Sequence, residues 1–369
     1  MFTEKLFKKE RGKLSIPLSG FLAITLMFIL AGCGGTQTAA TTNSGNSIAA
    51  TGQGGNYGLA ALPGYQISLF ASSTSKYTNP DAVEVDSGHV FIDYQNTTAK
   101  DCTDSNSSTV VEYTMDGKVV KTFSIPGHSD GMRVDPTTHL LWTTSCEDGN
   151  PKMTTIDPAS STVTPYTFAQ TPHGGGYDDL YFLNGMTFLA ASNPTLDSNG
   201  NNVFPAVDQI TLSNGQAVLK PILMGNATAT DNTTSPASQV TLNLTDPDSL
   251  TTDGKGDLVL VSQADSALVI ISSPGTAQQS VSRIPVGTQL DDTVWATSTH
   301  GRLLVSDAVT GNTYWIQPTH FVTKTIYTEM PNDSGVGSAV GVVDPSTGFI
   351  TPIAIGFGSP SGMLFVPNS

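Results

Sequence analysis

The chain has 369 residues, 38% hydrophobic and 13% charged, enough apolar content for a sizeable core and enough length for one to three domains. Its formal net charge is −15. That balance repels phosphate backbones and excludes nucleic acid as a partner, and it leaves no polybasic patch for anionic lipid.

Residues 1–32 open with Lys5, Lys8, Lys9, Arg11 and Lys13, followed by an apolar run from Leu14 to Leu30. A basic start, an apolar stretch and small residues before a cleavage point make a secretory signal peptide. The alternative is a plain transmembrane anchor, but the run is near the short limit for a bilayer and Pro17 and Ser19 interrupt it. The ending Leu30-Ala31-Gly32-Cys33 resembles the lipobox of bacterial lipoproteins. That resemblance implies cleavage before Cys33, lipid on its thiol, and an address in the bacterial cell envelope facing the periplasm or the exterior. Gly34, where an aspartate often retains such proteins in the inner membrane, leaves an outer-membrane destination open.

Residues 33–60 follow as a flexible low-complexity tether of Gly, Ser, Thr, Ala and Asn. Such a composition cannot bury enough surface to order itself, and the segment would span about 25–30 Å on average.

From residue 61 to 369 the pattern is all-β: short β-branched and aromatic runs separated by turn residues, with no sustained helical period. An aspartate followed by apolar residues two and usually four places later recurs at Asp81, Asp130, Asp178, Asp248 and Asp292. Ser361, with Met363 and Phe365, is a sixth copy without the acid. Most intervals lie near the 40–50 residues of a propeller blade. Each reads as four strands, beginning DAVEVD, DGMRVD, DDLYFL, DSLTTD and DTVWAT, and the fifth continues through RLLVSD, TYWIQ and TKTIYT. The leftover runs 65–71, 338–343, 349–356 and 361–366 supply a sixth blade built from both chain ends, which removes open sheet edges. Seven blades result if the insertion 225–244 contributes strands of its own; a large β-sandwich is the competing architecture.

This rhythm of strands and Asp/Gly turns resembles the superfamily of NHL, YncE-like and gluconolactonase-type β-propellers over about residues 62–367. The resemblance implies the fold. It does not carry an activity. The gluconolactonase-like branch holds a metal with Glu, Asn and Asp near the channel, whereas the first blade here begins Asn79-Pro80-Asp81 without the Glu. The streptogramin-lyase branch uses His and Glu, for which His128, His173 and Glu147 are the candidates.

In an antiparallel meander the d–a and b–c connections share one face. The long segments 95–108, 145–151, 192–205 and 225–244 all fall there, so this is the expected binding face. Cys102 and Cys146 lie in equivalent b–c loops of consecutive blades, placed either for a disulfide or as two free thiols. Asp81, Asp130, Asp178, Asp248 and Asp292 point toward the same face, as a ring suited to Ca²⁺ or Mg²⁺ or as caps of their own turns. His128 and His173 stand at two blade entrances, as ligands or bases or as packed loop residues. The expected function is a monomeric, lipid-anchored binding or scaffold module for an envelope protein, glycan or small molecule. The alternative is a metal-dependent hydrolase, lactonase or lyase at the channel mouth.

Overall fold

A computed structural model describes residues 58–169, 171, 173–331 and 337–368. The leader, Cys33 and most of the tether lie outside the described residues. The tether ends earlier than expected, because Ala60 and Ala61 pair with Ile355 and Ala354 at a sheet edge.

Every regular element among the described residues is a β-strand. Four blades follow the sequence closely. Blade 1 is Pro80–Asp86, His89–Tyr94, Ser107–Thr114 and Val119–Pro126. Blade 2 is Ser129–Val134, Leu141–Ser145, Lys152–Asp157 and Thr162–Phe168. Blade 3 is Tyr177–Leu183, Met186–Ala191, Pro205–Ser213 and Gln216–Met224, and blade 4 is Pro247–Thr252, Leu258–Ser262, Ala267–Ser272 and Ser280–Pro285. Within each, neighbouring strands pair antiparallel. Second strands such as Leu258–Ser262 are buried at every position because neighbouring blades cover both faces. Outer strands alternate: Phe123 and Ile125 are buried, whereas Val120 and Ser124 face solvent. Asn214 and Gly215, with φ of 50° and 76°, make the hairpin turn of blade 3, for which positive φ at both positions is required.

The fifth and sixth blades exchange a hairpin relative to the sequence reading. Thr293–Trp295 pairs with Ile326–Met330, which continues through Ala339–Val343 and Ile350–Ile355. The intervening strands Gly301–Asp307 and Asn312–Pro318 instead join the closing sheet, between Pro360–Pro367 and Tyr65–Ser72. RLLVSD and TYWIQ are therefore not part of the fifth blade. The alternation of a hairpin names its buried face but not the sheet that receives it. Here Asp307 decides, because its carboxylate accepts the amides of Gly358 (2.8 Å) and Ser359 (2.9 Å) and ties the hairpin to the turn before Pro360.

The insertion makes no seventh blade. Thr228–Asp231 and Ser238–Thr241 form a hairpin that extends blade 4 in parallel alongside Ser280–Pro285. Arg283 clamps it, with Nε and Nη2 at 3.1 and 3.0 Å from Asp231 Oδ2.

The six first strands touch in turn around one axis, and the strand from Pro360 meets the strand from Pro80. The architecture is a six-bladed β-propeller closed by a sheet that joins Tyr65–Ser72 to the strands 301–318 and Pro360–Pro367. Ser306 Oγ donates to Asp81 O across that closure at 2.6 Å. Gly362 lies against the same carbonyl, so that a Cβ there would stand 2.1 Å from Asp81 O. Gly362→Ala is expected to destabilise the protein by about 1–3 kcal/mol through overpacking, read as a lower urea midpoint at unchanged slope.

Candidate functional site

The inner strands of blades 1–4 carry a β-bulge at the same place. Pairing steps from Pro80↔Tyr94 to Val83↔Ile92, from Ser129↔Ser145 to Met132↔Thr143, from Tyr177↔Ala191 to Leu180↔Leu189, and from Pro247↔Ser262 to Leu250↔Leu260. Three residues advance against two, so a bulge re-aims one side chain. Two consecutive residues of each strand then line the axial cavity: Asp81 and Ala82, Asp130 and Gly131, Asp178 and Asp179, Asp248 and Ser249. Asp291 and Asp292 do the same in blade 5. The cavity measures about 340 Å³ and lies on the face of the d–a and b–c loops. Ten carboxylates line it, against one ammonium, that of Lys100.

The carboxylates form two tiers. Asp81, Asp130, Asp178, Asp248 and Asp291 make the upper one. Asp179 and Asp292 belong to the lower tier and share one bonding pattern: Asp179 Oδ2 accepts the Leu250 amide at 2.9 Å, and Asp292 Oδ2 accepts the Met363 amide at 2.8 Å. Asp292 was thus placed one position out in the expected ring, and Asp291 is its upper member. The repeat misled there because Thr293 fills the apolar position; its hydroxyl is buried against Thr328 Oγ1 at 2.8 Å.

Arg133 sits beneath this lower tier. Its Nη2 lies 2.6 Å from Asp179 Oδ2 and 3.6 Å from Asp292 Oδ1, and also donates to Leu250 O at 3.3 Å. Gly131 makes the crossing possible, since a Cβ there would stand 2.5 Å from Asp179 Cα.

In the upper tier burial opposes ionisation of the Asp130 carboxyl, but a hydrogen bond with Asp178 and the charges of Lys100 and His128 hold it down at about 2. Its neighbours take the opposite course. Burial first, and the charge of Asp130 next, push Asp81 and Asp178 well above the usual carboxylate range. Burial likewise raises Asp248 and Asp291, with Asp291 and Glu329 respectively as the next cause. Glu147 is pushed up to about 8 by burial and by Asp130, against the pull of Lys100, with which it is ion-paired. Asp93, wholly buried, reaches about 8 through burial, against the pull of contacts with Ser129 and the Tyr94 backbone.

His128 flanks Asp130 and Glu147. Its Nδ1 lies 3.1 Å from Thr98 O and 2.9 Å from Thr98 Oγ1, while Nε2 is buried, has no hydrogen-bond partner and stands 4.0 Å from Glu147 Oε1. With Nδ1–H given to Thr98 O, Nε2 presents a free lone pair. Ligand atoms of His128, Asp130 and Glu147 all lie within 4.8 Å of one another, a set able to hold a metal ion. His173 does not join them. It is fully buried, lies edge-on to Tyr177 at 5.0 Å and lines no part of the cavity.

Cys102 and Cys146 are bonded, with Cα atoms 5.3 Å apart. The bridge joins the b–c loops of blades 1 and 2. Lys100 lies two residues before one sulfur and Glu147 one residue after the other, so the staple brings this ion pair to the cavity rim. Lys100, Arg133, Asp179 and Asp291 were missed in the sequence. The doubled acids Asp178-Asp179 and Asp291-Asp292 were the available signal; nothing local marks the two cations.

No family model matches the chain, and no curated protein matches it. Solved structures do. A protein of unknown function from Bacteroides caccae is 11% identical with a TM-score of 0.46, covering 83% of this chain and 89% of its own. The periplasmic gluconolactonase of Pseudomonas aeruginosa is 12% identical with a TM-score of 0.44, covering 78% and 88%. The virginiamycin B lyase of Staphylococcus aureus is 14% identical with a TM-score of 0.39, covering 72% and 96%. At such identities the blade count and the site stand on this chain's own pairings and side chains.

Carboxyls raised in the folded state bind protons that the unfolded chain has released. Stability from Glu147 and Asp93 is therefore complete below about pH 4 and lost as pH rises toward about 8. In a chelator-treated sample the melting temperature is expected to fall steadily between pH 5 and pH 8. A melting temperature that rises over that interval would contradict the upward shift of these buried carboxyls.

Proposed function

We propose that this chain is a binding propeller whose acidic channel mouth takes up a cation, tethered at the bacterial envelope by lipid on Cys33. The single supporting observation is the excess of ten carboxylates over one ammonium in a cavity of about 340 Å³. So many acids in one enclosed space need protons, solvent or a cation to coexist. The upper tier offers oxygen donors only, the chemistry that suits Ca²⁺ or Mg²⁺. A cationic group on an envelope protein, glycan or small molecule is the organic counterpart.

Calorimetric titration of the chelator-treated chain with calcium chloride is expected to show saturable binding and a raised melting temperature. Asp130→Asn together with Asp178→Asn should weaken that binding at least tenfold. Identical melting curves in calcium and in EDTA would overturn the cation site. For the anchor, Cys33→Ala should move the protein from the membrane to the soluble fraction, and unchanged partitioning would remove it.

A second reading is a metal-dependent hydrolase, lactonase or lyase. It rests on the convergence of His128, Asp130 and Glu147 with a free imidazole nitrogen. Such an ion would be held by His128, Asp130 and Glu147 and would polarise a substrate carbonyl. Lactone turnover in manganese- or magnesium-loaded protein, lost in His128→Ala, would favour this reading over simple binding.

A further inference from the structure

Arg133 and its two carboxylates close the channel below the acidic mouth, and a second chamber of about 320 Å³ opens beyond them toward the opposite face. Its position follows from the strand period. Two places beyond Ala82, Gly131 and Asp179, the next axial side chains are Glu84, Arg133 and Tyr181, and all three line the lower chamber. The character of the wall changes completely. Phe182, Trp295, Leu364 and Phe365 line it beside Thr251, Thr252 and Thr293, so the mouth is carboxylate and the far end largely apolar. Exposed Pro136 and Thr297 stand at its rim and open it to solvent.

Charge in this chamber is unbalanced. Arg133 is already engaged by Asp179 and Asp292 from above, and both lie within the closed layer. Glu84 is the additional carboxylate on the lower side, where it accepts the Val134 amide. Burial pushes it up to about 7 even with Arg133 pulling the other way. Arg133 also lines the chamber, but its ion pairs go to Asp179 and Asp292, and Glu84 makes none among the described residues, which leaves its carboxyl as the acid a bound cation can meet. Aromatic faces next to a carboxylate attract a cation that can also shed water from an apolar body. A volume at the lower end of the small-molecule range and apolar walls interrupted by a few polar groups are the usual anatomy of a ligand pocket.

We propose that the lower chamber is a second binding site, separate from the acidic mouth, for a small organic cation of the aryl- or alkyl-ammonium class. Glu84 pairs with the ammonium, and Tyr181, Phe182, Trp295 and Phe365 enclose its apolar part. The two ends of one channel then differ in ligand: bare or hydrated cations at the mouth, a desolvated ammonium at the base.

The test uses the full chain, phenyltrimethylammonium as probe and its neutral isostere tert-butylbenzene, followed by calorimetry and tryptophan fluorescence. Saturable binding of the charged probe, at least tenfold tighter than the isostere, is expected. Glu84→Gln should weaken it at least tenfold, and Trp295→Phe should retain binding with a diminished fluorescence change. Asp130→Asn, or saturating calcium, should leave the affinity unchanged. Equal affinity for probe and isostere, or an unaltered Glu84→Gln variant, would overturn the site without any variant at the mouth being involved. Loss of binding in Asp130→Asn with Glu84→Gln unaffected would overturn it too, by placing the probe at the mouth. The comparison of probe and isostere in the unmodified chain stands even if a variant fails to fold.

Discussion

Six inner strands converge on one axis, and a bulge at the start of four of them turns two successive side chains toward it. Whatever stands at those two positions is forced into a shared space. Small residues at two of these places, Gly131 and Gly362, give the room that Asp179 and the Asp81 carbonyl occupy. The acidic mouth is thus a product of close approach. Each Asp of the upper tier is an ordinary turn-proximal residue on its own strand, and becomes unusual only because four others arrive beside it.

Crowding of like charge then organises the rest of the channel. Ionised carboxylates cannot be packed together and buried without large cost, so the structure divides them. Asp130 is held toward its charged form, with Lys100 and His128 nearby, while burial and its charge push Asp81 and Asp178 toward the protonated form. One layer down, Arg133 compensates Asp179 and Asp292, and backbone amides of the next blades donate to one oxygen of each. That layer also separates the two chambers. The same cation that stabilises the buried pair therefore makes the two ends of the channel chemically distinct.

Ring closure supplies the rigidity this arrangement needs. Strands from both chain ends flank the hairpin 301–318 in one sheet, and Ser306 links that sheet to blade 1. On the mouth face the Cys102–Cys146 bridge fixes the two loops that carry Lys100 and Glu147. Loops that would otherwise wander are held by a covalent link on one side and by the closed ring beneath.

The sequence by itself determined the all-β class, the boundaries of blades 1–4, the face that carries the long loops and most members of the acidic ring. These follow from a period-two alternation and turn residues, which are local properties of the chain. It also brought Cys102, Cys146 and His128 into view through their equivalent places in successive repeats, and Glu147 as the nearest acid to pair with a histidine there. Only the tertiary structure decided that the hairpin 301–318 belongs to the closing sheet, since two hairpins of like alternation are interchangeable until Asp307 finds its amides. It alone promoted Asp291 over Asp292, because a bulge shifts which neighbour faces the axis. It alone revealed Lys100 and Arg133 as the cations of the channel and set His173 aside in a packed loop. Charge compensation is made between strands far apart in the chain, and no local pattern records which of them will meet.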